Sequence, residues 1–250
     1  MSFPQRTSPL NATFRHWLSI AITILLLGSS TRGEDEIDFG QNSAGELKSR
    51  IEFDEPLPLP RSVFPDITGY ATGAVGFHSI FFDEPTNDFF QLSLAADFRF
   101  ILLAKDPGME VWNDHGSAYM TNGESFYVGP PIFDTHPVWN IVSGTTGNVY
   151  SLTLKLHDVN GVYADSDPVT ISFTPIAPAT LSIQDNPDST VTITMQGTAR
   201  AEYIFQSSTN LSASSNWVSV ATNIAEGDGS AAFTESRLGS AQRFYRCTNH

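Results

Sequence analysis

The histidines are the residues of this chain with the most chemical potential. Of the five histidines that follow residue 33, four lie between residues 61 and 176: His78, His115, His136 and His157. Asp114, Asp134 and Asp158 each lie within two residues of one of these histidines, and Zn²⁺ accepts neutral imidazoles supported by carboxylates. The spacings of 37, 21 and 21 residues match no established ligand motif. Two interpretations stay open: a shared divalent-metal site, and four scattered surface or loop histidines.

A second set of candidates is aromatic. The Gly-, Pro- and Asn-rich stretch between the best predicted strands is expected to be loop, and it contains Trp112, Tyr119, Tyr127 and Trp139. Aromatic side chains on the loops of a sandwich can stack on sugar rings or bury into a protein partner. The alternative is that they close the open end of the sandwich core. The sequence therefore offers a glycan- or protein-binding surface as a hypothesis.

An acidic cluster around Asn160 raises the question of calcium. Asp158, Asn160, Asp165 and Asp167 place several oxygen donors close together, as hard cations require. A calcium loop would also need a bidentate acid at the right offset, and the Asn160-Gly161 pair explains the same cluster as the turn between two strands without an ion. We therefore predict turn chemistry here.

No catalytic signature accompanies these candidates. Ser143 lacks the Gly-x-Ser-x-Gly elbow of serine hydrolases, and no pair of carboxylates indicates glycoside chemistry. The sequence predicts no catalytic residue and a non-enzymatic protein, with an unrecognised secreted hydrolase as an alternative.

The first 33 residues have the order of a secretory signal peptide. Arg6 and Arg15 precede an apolar run of about eleven residues (17–27), and small residues follow this run. A membrane-spanning helix needs about 20 apolar residues. We expect cleavage near Ser30 or Gly33, no membrane span afterwards, and a secreted, cell-surface or periplasmic protein.

Charge restricts the partners. The whole chain carries a formal charge of −14, and loss of residues 1–33 removes three Arg and no acid, which gives −17. A surface this anionic disfavours nucleic acid and favours cations or neutral ligands. Cys247 is the single cysteine, so no intramolecular disulfide can form.

Alternation of apolar and polar residues predicts strands in the first part of the mature chain. The clearest runs are 91–102 and 150–158, followed by a strand around Val169, Ile171 and Phe173. Twelve of the 18 Phe lie between residues 51 and 176. We interpret 34–60 as a flexible acidic and Pro-rich tether and 61–176 as a β-sandwich.

The composition changes at a short Pro-containing linker, 177–180. Six short strand candidates separated by turn clusters follow it, which predicts a second small sandwich over 181–250. The predicted fold class is all-β, with two β-sandwich domains in tandem after a signal peptide.

Two resemblances concern these segments. Residues 203–211, 217–221 and 243–246 carry a tyrosine strand, a Ser-Thr-Asn-Leu turn, a tryptophan strand and a terminal Phe-Tyr-Arg, and they resemble a fibronectin-III-like module that closes many secreted bacterial proteins. Residues 76–80, 126–129, 137–141 and 156–166 resemble a family of bacterial surface-anchored proteins of the choice-of-anchor type, some encoded in zinc-starvation regulons. These resemblances imply a surface location, zinc as the metal, and an accessory role for the second module.

Overall fold

The computed structural model describes residues 35–112, 120–211, 216–237 and 242–249. The predicted signal peptide lies outside these ranges. The regular elements named within them are strands and one short 3₁₀ helix, Pro85–Asn87. No helix in the described ranges is long and apolar enough to cross a membrane.

The strands are β1 (Asp35–Gln41), β2 (Leu47–Ile51), β3 (Leu57–Leu59), β4 (Tyr70–Thr72), β5 (Val75–Ser79), β6 (Phe98–Lys105), β7 (Met109–Trp112), β8 (Ser125–Gly129), β9 (Asp134–Thr135), β10 (Val138–Ile141), β11 (Tyr150–Asp158), β12 (Val169–Pro175), β13 (Thr180–Asp185), β14 (Thr190–Gln196), β15 (Glu202–Ser208), β16 (Val218–Ile224), β17 (Ser230–Ser236) and β18 (Phe244–Thr248).

Three sheets enclose the first core. Sheet I has the order β2-β1-β5-β9, sheet II the order β4-β10-β7, and sheet III the order β3-β12-β11-β6-β8. The pairs β1–β5 and β3–β12 are parallel and the others are antiparallel. The core between them is rich in aromatic rings: Phe77 stacks on Phe100 with centroids 3.6 Å apart, and Trp139 stacks on Phe173 at 5.4 Å. Each such pair adds about 0.5–1.5 kcal/mol to the burial of its rings.

The tether predicted for residues 34–60 is wrong. This segment forms β1, β2 and β3, and Ile37 and Phe39 are both fully buried in the first core. The reason lies in the sequence Asp-Glu-Ile-Asp-Phe, where apolar and acidic residues alternate with the period of a strand. β1 lies between β2 and β5 in sheet I, so it buries Ile37 and Phe39, and this burial stabilises the strand despite the polar composition of the segment.

The strand predicted for 91–102 begins later than expected. Residues 94 and 95 form a turn, β6 starts at Phe98, and Leu94 is 79% exposed. The backbone N–H groups that a strand would use are taken by side chains, because Ser93 N–H donates to the Tyr163 hydroxyl at 2.7 Å and Asp97 N–H donates to the Asp158 carboxylate at 2.9 Å.

The remaining strand predictions are confirmed. β11 covers 150–158 and pairs antiparallel with β12, with Gly161 in the connecting segment at φ +72°. All six strands predicted after residue 180 are present, as β13 to β18. They form two three-stranded sheets, β13-β14-β17 and β16-β15-β18.

A separate hydrophobic core lies between the two later sheets. It is built on Ile193, Met195, Tyr203 and Phe205, which are all at most 1% exposed. The Tyr203 hydroxyl donates to the Ala177 carbonyl at 2.9 Å and accepts from the Thr198 N–H at 2.8 Å. These two bonds hold Ala177 and Thr198 against Tyr203, which belongs to the second core.

Candidate metal centre

The alternation that buries β1 and β5 also builds a polar surface on sheet I. Ile37, Phe39 and Phe77 point into the core, so Glu36, Asp38 and His78 lie on the opposite face. The register makes Asp38 the partner of His78 on β5 and of Arg50 on β2, and it makes His78 the partner of Asp134 on β9. Four neighbouring strands therefore present one row of charged and titratable side chains.

Three side chains of this face converge on a point. His78 Nδ1 lies 3.0 Å from Asp38 Oδ1 and 3.2 Å from Glu36 Oε2, and one ligand atom from each residue lies within 4.8 Å of the others. In a tetrahedral zinc site with bonds near 2.0 Å, neighbouring ligand atoms are about 3.3 Å apart. The two distances from His78 Nδ1 to the carboxylate oxygens are therefore close to that spacing, and the two oxygens lie within 4.8 Å of each other.

The convergent side chains are partly protected from solvent. The side chain of Asp38 is 9% exposed, that of His78 16% and that of Glu36 24%. The Phe81 ring lies edge-on to His78, with centroids 4.7 Å apart. Partial burial reduces the screening of the carboxylates by water, so their attraction for a cation is stronger than on an open surface.

Arg50 holds the acidic side of the site in place. It donates from Nη2 to Asp38 Oδ2 and from Nη1 to Glu84 Oε2, both at 2.7 Å, and it also pairs with Glu52. The bond to Glu84, opposed by partial burial, raises the pKa of Arg50 above its ordinary value, with Asp38 and Glu52 contributing. The bond from Arg50, with a second from Asn87, lowers the pKa of Glu84 to about 2.

This arrangement gives the two oxygens of Asp38 different partners. Arg50 occupies Oδ2 of Asp38, so Oδ1 remains directed at His78. Arg50 and His78 contact four carboxylates, those of Glu36, Asp38, Glu52 and Glu84. The Arg50 guanidinium supplies one positive charge against these four negative charges. The excess of negative charge favours capture of a divalent cation.

The four histidines of the sequence hypothesis occupy different positions. His78 and His136 both belong to the sheet I region, and His136 Nε2 lies 2.8 Å from Asp134 Oδ1. His157 is on β11 in sheet III, where its Nδ1 lies 2.6 Å from Asp165 Oδ1. His115 lies outside the described residues. The structure thus brings two of the predicted histidines to one sheet and places a third in another sheet.

Glu36 and Asp38 were missed because they fell in the predicted tether. The signal that could have found them is the same alternation with Ile37 and Phe39 that makes β1 a strand. Their proximity to His78 depends on the parallel pairing of β1 with β5, which spans 40 residues.

The aromatic candidates do not share a surface among the described residues. Trp139 is fully buried on β10, and its indole N–H donates to the Val75 carbonyl at 2.9 Å. Trp112 is half-buried at the end of β7 with its indole N–H on Glu110. Tyr127, on β8, is 54% exposed, and Tyr119 lies outside the described residues. The expectation that Trp112, Tyr127 and Trp139 lie on loops is therefore corrected, because all three lie in strands.

The acidic cluster around Asn160 is turn chemistry. The buried Asp158 carboxylate accepts four backbone N–H groups, at 2.9 Å from Asp97, 3.0 Å from Asn160, 2.6 Å from Val162 and 3.0 Å from Tyr163. Burial opposes ionisation of this carboxyl, but the four donors outweigh it and lower the pKa of Asp158. Both oxygens already have their partners, so the turn accounts for Asp158 without a calcium ion.

Comparison of the sequence with protein-family models finds no match, and no curated protein matches it either. Among solved structures, a cytokine receptor complex aligns over 59% of this chain and 86% of its own, at 14% identity and a TM-score of 0.25. The FN1-FN3 domains of chicken CNTN1 align over 84% of this chain and 67% of their own, at 11% identity and a TM-score of 0.31. Similarity this low transfers neither a ligand nor an activity, and the all-β fold rests on the strand pairing itself.

Proposed function

We propose that this chain is an exported, non-enzymatic protein whose first β-sandwich binds one divalent metal ion, zinc in preference to others, at Glu36, Asp38 and His78. The observation that carries the proposal is the convergence of His78 Nδ1 with two carboxylate oxygens at 3.0 and 3.2 Å on a partly buried face. The order of charged, apolar and small residues in 1–33 supports export.

The donor set supports zinc over calcium or magnesium. An imidazole nitrogen suits zinc, whereas calcium takes six to eight oxygen ligands and magnesium retains several waters. Arg50 supplies the supporting hydrogen bond to the ligating Asp38 carboxylate, an outer contact typical of metal sites.

The second sandwich is proposed as an accessory module. Its core is separate from that of the first sandwich, with Phe173 in the first and Ile176 in the second. Arg200 connects the two: it donates to the Glu55 carbonyl at 2.8 Å and pairs with Asp54 at 3.3 Å. The Ile176 N–H also donates to the Leu59 carbonyl at 2.9 Å, so these contacts lie beside the linker proposed at 177–180.

Metal analysis of the purified protein tests the proposal. The wild type is titrated with zinc in competition with a chromophoric chelator, and the bound metal is counted after desalting. We expect one zinc per chain in the wild type and loss of stoichiometric zinc in His78→Ala. Unfolding curves of both proteins show whether the fold is intact.

His157→Ala is the matched control. Like His78, His157 contacts an aspartate through Nδ1, at 2.6 Å from Asp165, but it lies on sheet III. This variant should bind zinc as the wild type does. A wild type that binds no zinc, or a His157→Ala variant that loses zinc as completely as His78→Ala, would overturn the proposed site.

A further inference from the structure

The second sandwich contains a cleft of about 250 Å³ beside the edge strands of its two sheets, β13 and β18. The apolar lining of the cleft consists of Ile183 on β13, Val191 on β14 and the Tyr245 ring on β18. A cavity of about 150 Å³ encloses a benzene ring. The cleft therefore has room for a group of this size with a polar head attached.

The apolar wall of the cleft is exposed although it belongs to the inward face of a strand. Ile183 is the register partner of Ile193, which is fully buried, and opposite residues of an antiparallel pair lie on the same face of the sheet. Ile183 is nevertheless 56% exposed, because β13 is an edge strand and the residue lies beyond the buried core. A ligand in the cleft would remove this aliphatic surface from water, which is favourable.

Two arginines, Arg237 and Arg243, line the same cleft. Residues 181–250 contain four Arg, no Lys and six acidic residues, so this module has a formal charge of −2, whereas the whole mature chain has −17. Half of the arginines of the module thus lie at one cleft with apolar walls. This combination complements an organic anion, and the planar guanidinium suits a carboxylate in particular.

Arg243 is held in place by partly buried neighbours. It donates from Nη1 to Glu235 Oε2 at 2.7 Å, and the Tyr245 hydroxyl donates to Glu235 Oε1. Glu235 is the register partner of the buried Val191, so its side chain lies on the inward face, where it is 16% exposed. Burial and the bond to Glu235 raise the pKa of Tyr245 to about 12, so the phenol stays protonated and continues to donate. A guanidinium has five N–H donors, so Arg243 retains donors for a ligand after it pairs with Glu235.

Arg237 has a partner that a ligand can replace. Its Nη1 lies 3.0 Å from Asp185 Oδ1, and the two side chains are 46% and 70% exposed. An ion pair this exposed contributes little stability, since water solvates both charges when the pair opens. A carboxylate that enters the cleft can therefore take the place of Asp185 on Arg237.

We propose that this cleft binds a small organic monocarboxylate. The apolar group of the ligand fills the cleft, and its carboxylate bonds to Arg237 and Arg243 after it displaces Asp185. The site lies in a different sandwich from the proposed metal centre, and it gives the second sandwich a binding role of its own.

Calorimetric titration of the purified protein with benzoate and with hexanoate tests the proposal. The uncharged amide of each acid, benzamide or hexanamide, serves as its control. We expect each acid to bind at one site per chain, about 10-fold more tightly than its amide, because hydrogen bonds to a charged group are stronger than those to a neutral one.

Three variants identify the residues involved. Arg237→Gln should weaken the binding of both acids by about 10-fold, whereas Asp185→Asn should strengthen it, because the competing carboxylate is lost. Arg246→Gln is the matched control. Arg246 lies on the outer face of β18, 4.5 Å from the centre of the Trp217 ring and bonded to Gln206, so its replacement should leave the affinity unchanged.

The proposal is refuted if neither acid binds, or if the amides bind as tightly as the acids. It is also refuted if Arg246→Gln reduces the affinity as much as Arg237→Gln does. Asp185→Asn keeps both arginines, so it decides the result if Arg237→Gln does not fold: unchanged or weaker binding in this variant overturns the proposal.

Discussion

Replacement of Asp158 by Asn should remove a large part of the stability of the first sandwich. Oδ1 accepts the N–H groups of Asp97 and Asn160, and Oδ2 accepts those of Val162 and Tyr163. In the variant one of these oxygens becomes an NH₂ group that faces two N–H donors. Hydrogen bonds to a charged group contribute about 1.5–3 kcal/mol each, so the loss of two predicts a decrease of about 3–6 kcal/mol in the free energy of unfolding. A whole domain has only about 5–15 kcal/mol.

The pH dependence should identify the carboxylate as the cause. The pKa of Asp158 is lower in the folded chain than in the unfolded chain, where an aspartate titrates near 3.9. Its contribution is therefore present above about pH 4 and is lost as the pH falls through the lower folded value. The difference in stability between the wild type and Asp158→Asn should be constant from pH 7 to about pH 5 and should narrow below pH 4.

Urea unfolding followed by tryptophan fluorescence measures this difference, since Trp139 reports on the first core. Asp167→Asn is the control, because Asp167 is an exposed carboxylate of the same connection and its removal should change stability by less than about 0.5 kcal/mol. A variant at Asp158 within 1 kcal/mol of the wild type at pH 7, or a difference that stays constant down to pH 2, would contradict the reasoning.

Three further predictions concern other parts of the chain. Tyr203→Phe removes a hydroxyl that makes two hydrogen bonds in the second core, and it should lower the unfolding free energy of that sandwich by about 1–3 kcal/mol; no change in its melting would show that the bonds are not stabilising. Limited proteolysis should cut between about residues 174 and 182, where Pro178 and Thr180 are exposed, and leave two folded fragments, whereas resistance there would indicate one cooperative unit. N-terminal sequencing of exported protein should begin near Glu34, and an intact Met1 would exclude cleavage.

The sequence predicted those strands whose alternation is long and uninterrupted. β11 and β12 matched because each carries several apolar residues of one parity with polar residues between them. The first half of the 91–102 run failed because the side chains of Asp158 and Tyr163 satisfy backbone groups there, and these partners lie more than 60 residues away. Trp139 was misplaced for a related reason, since a Gly- and Pro-rich neighbourhood does not reveal which aromatic residue enters the core.

The candidate site was predictable in its chemistry and only partly in its residues. His78 could be named from its type, but the carboxylates that converge on it come from β1, which the composition of 34–60 concealed. Alternation within β1 and β5 is a local property, and it places Glu36, Asp38 and His78 on the face opposite the core. Which of them meet depends on the parallel register of Asp38 with His78, which no local pattern encodes. A shift of that register by one residue would direct Asp38 into the core, so the burial of Ile37 and Phe39 sets both the fold of sheet I and the geometry of the proposed metal ligands.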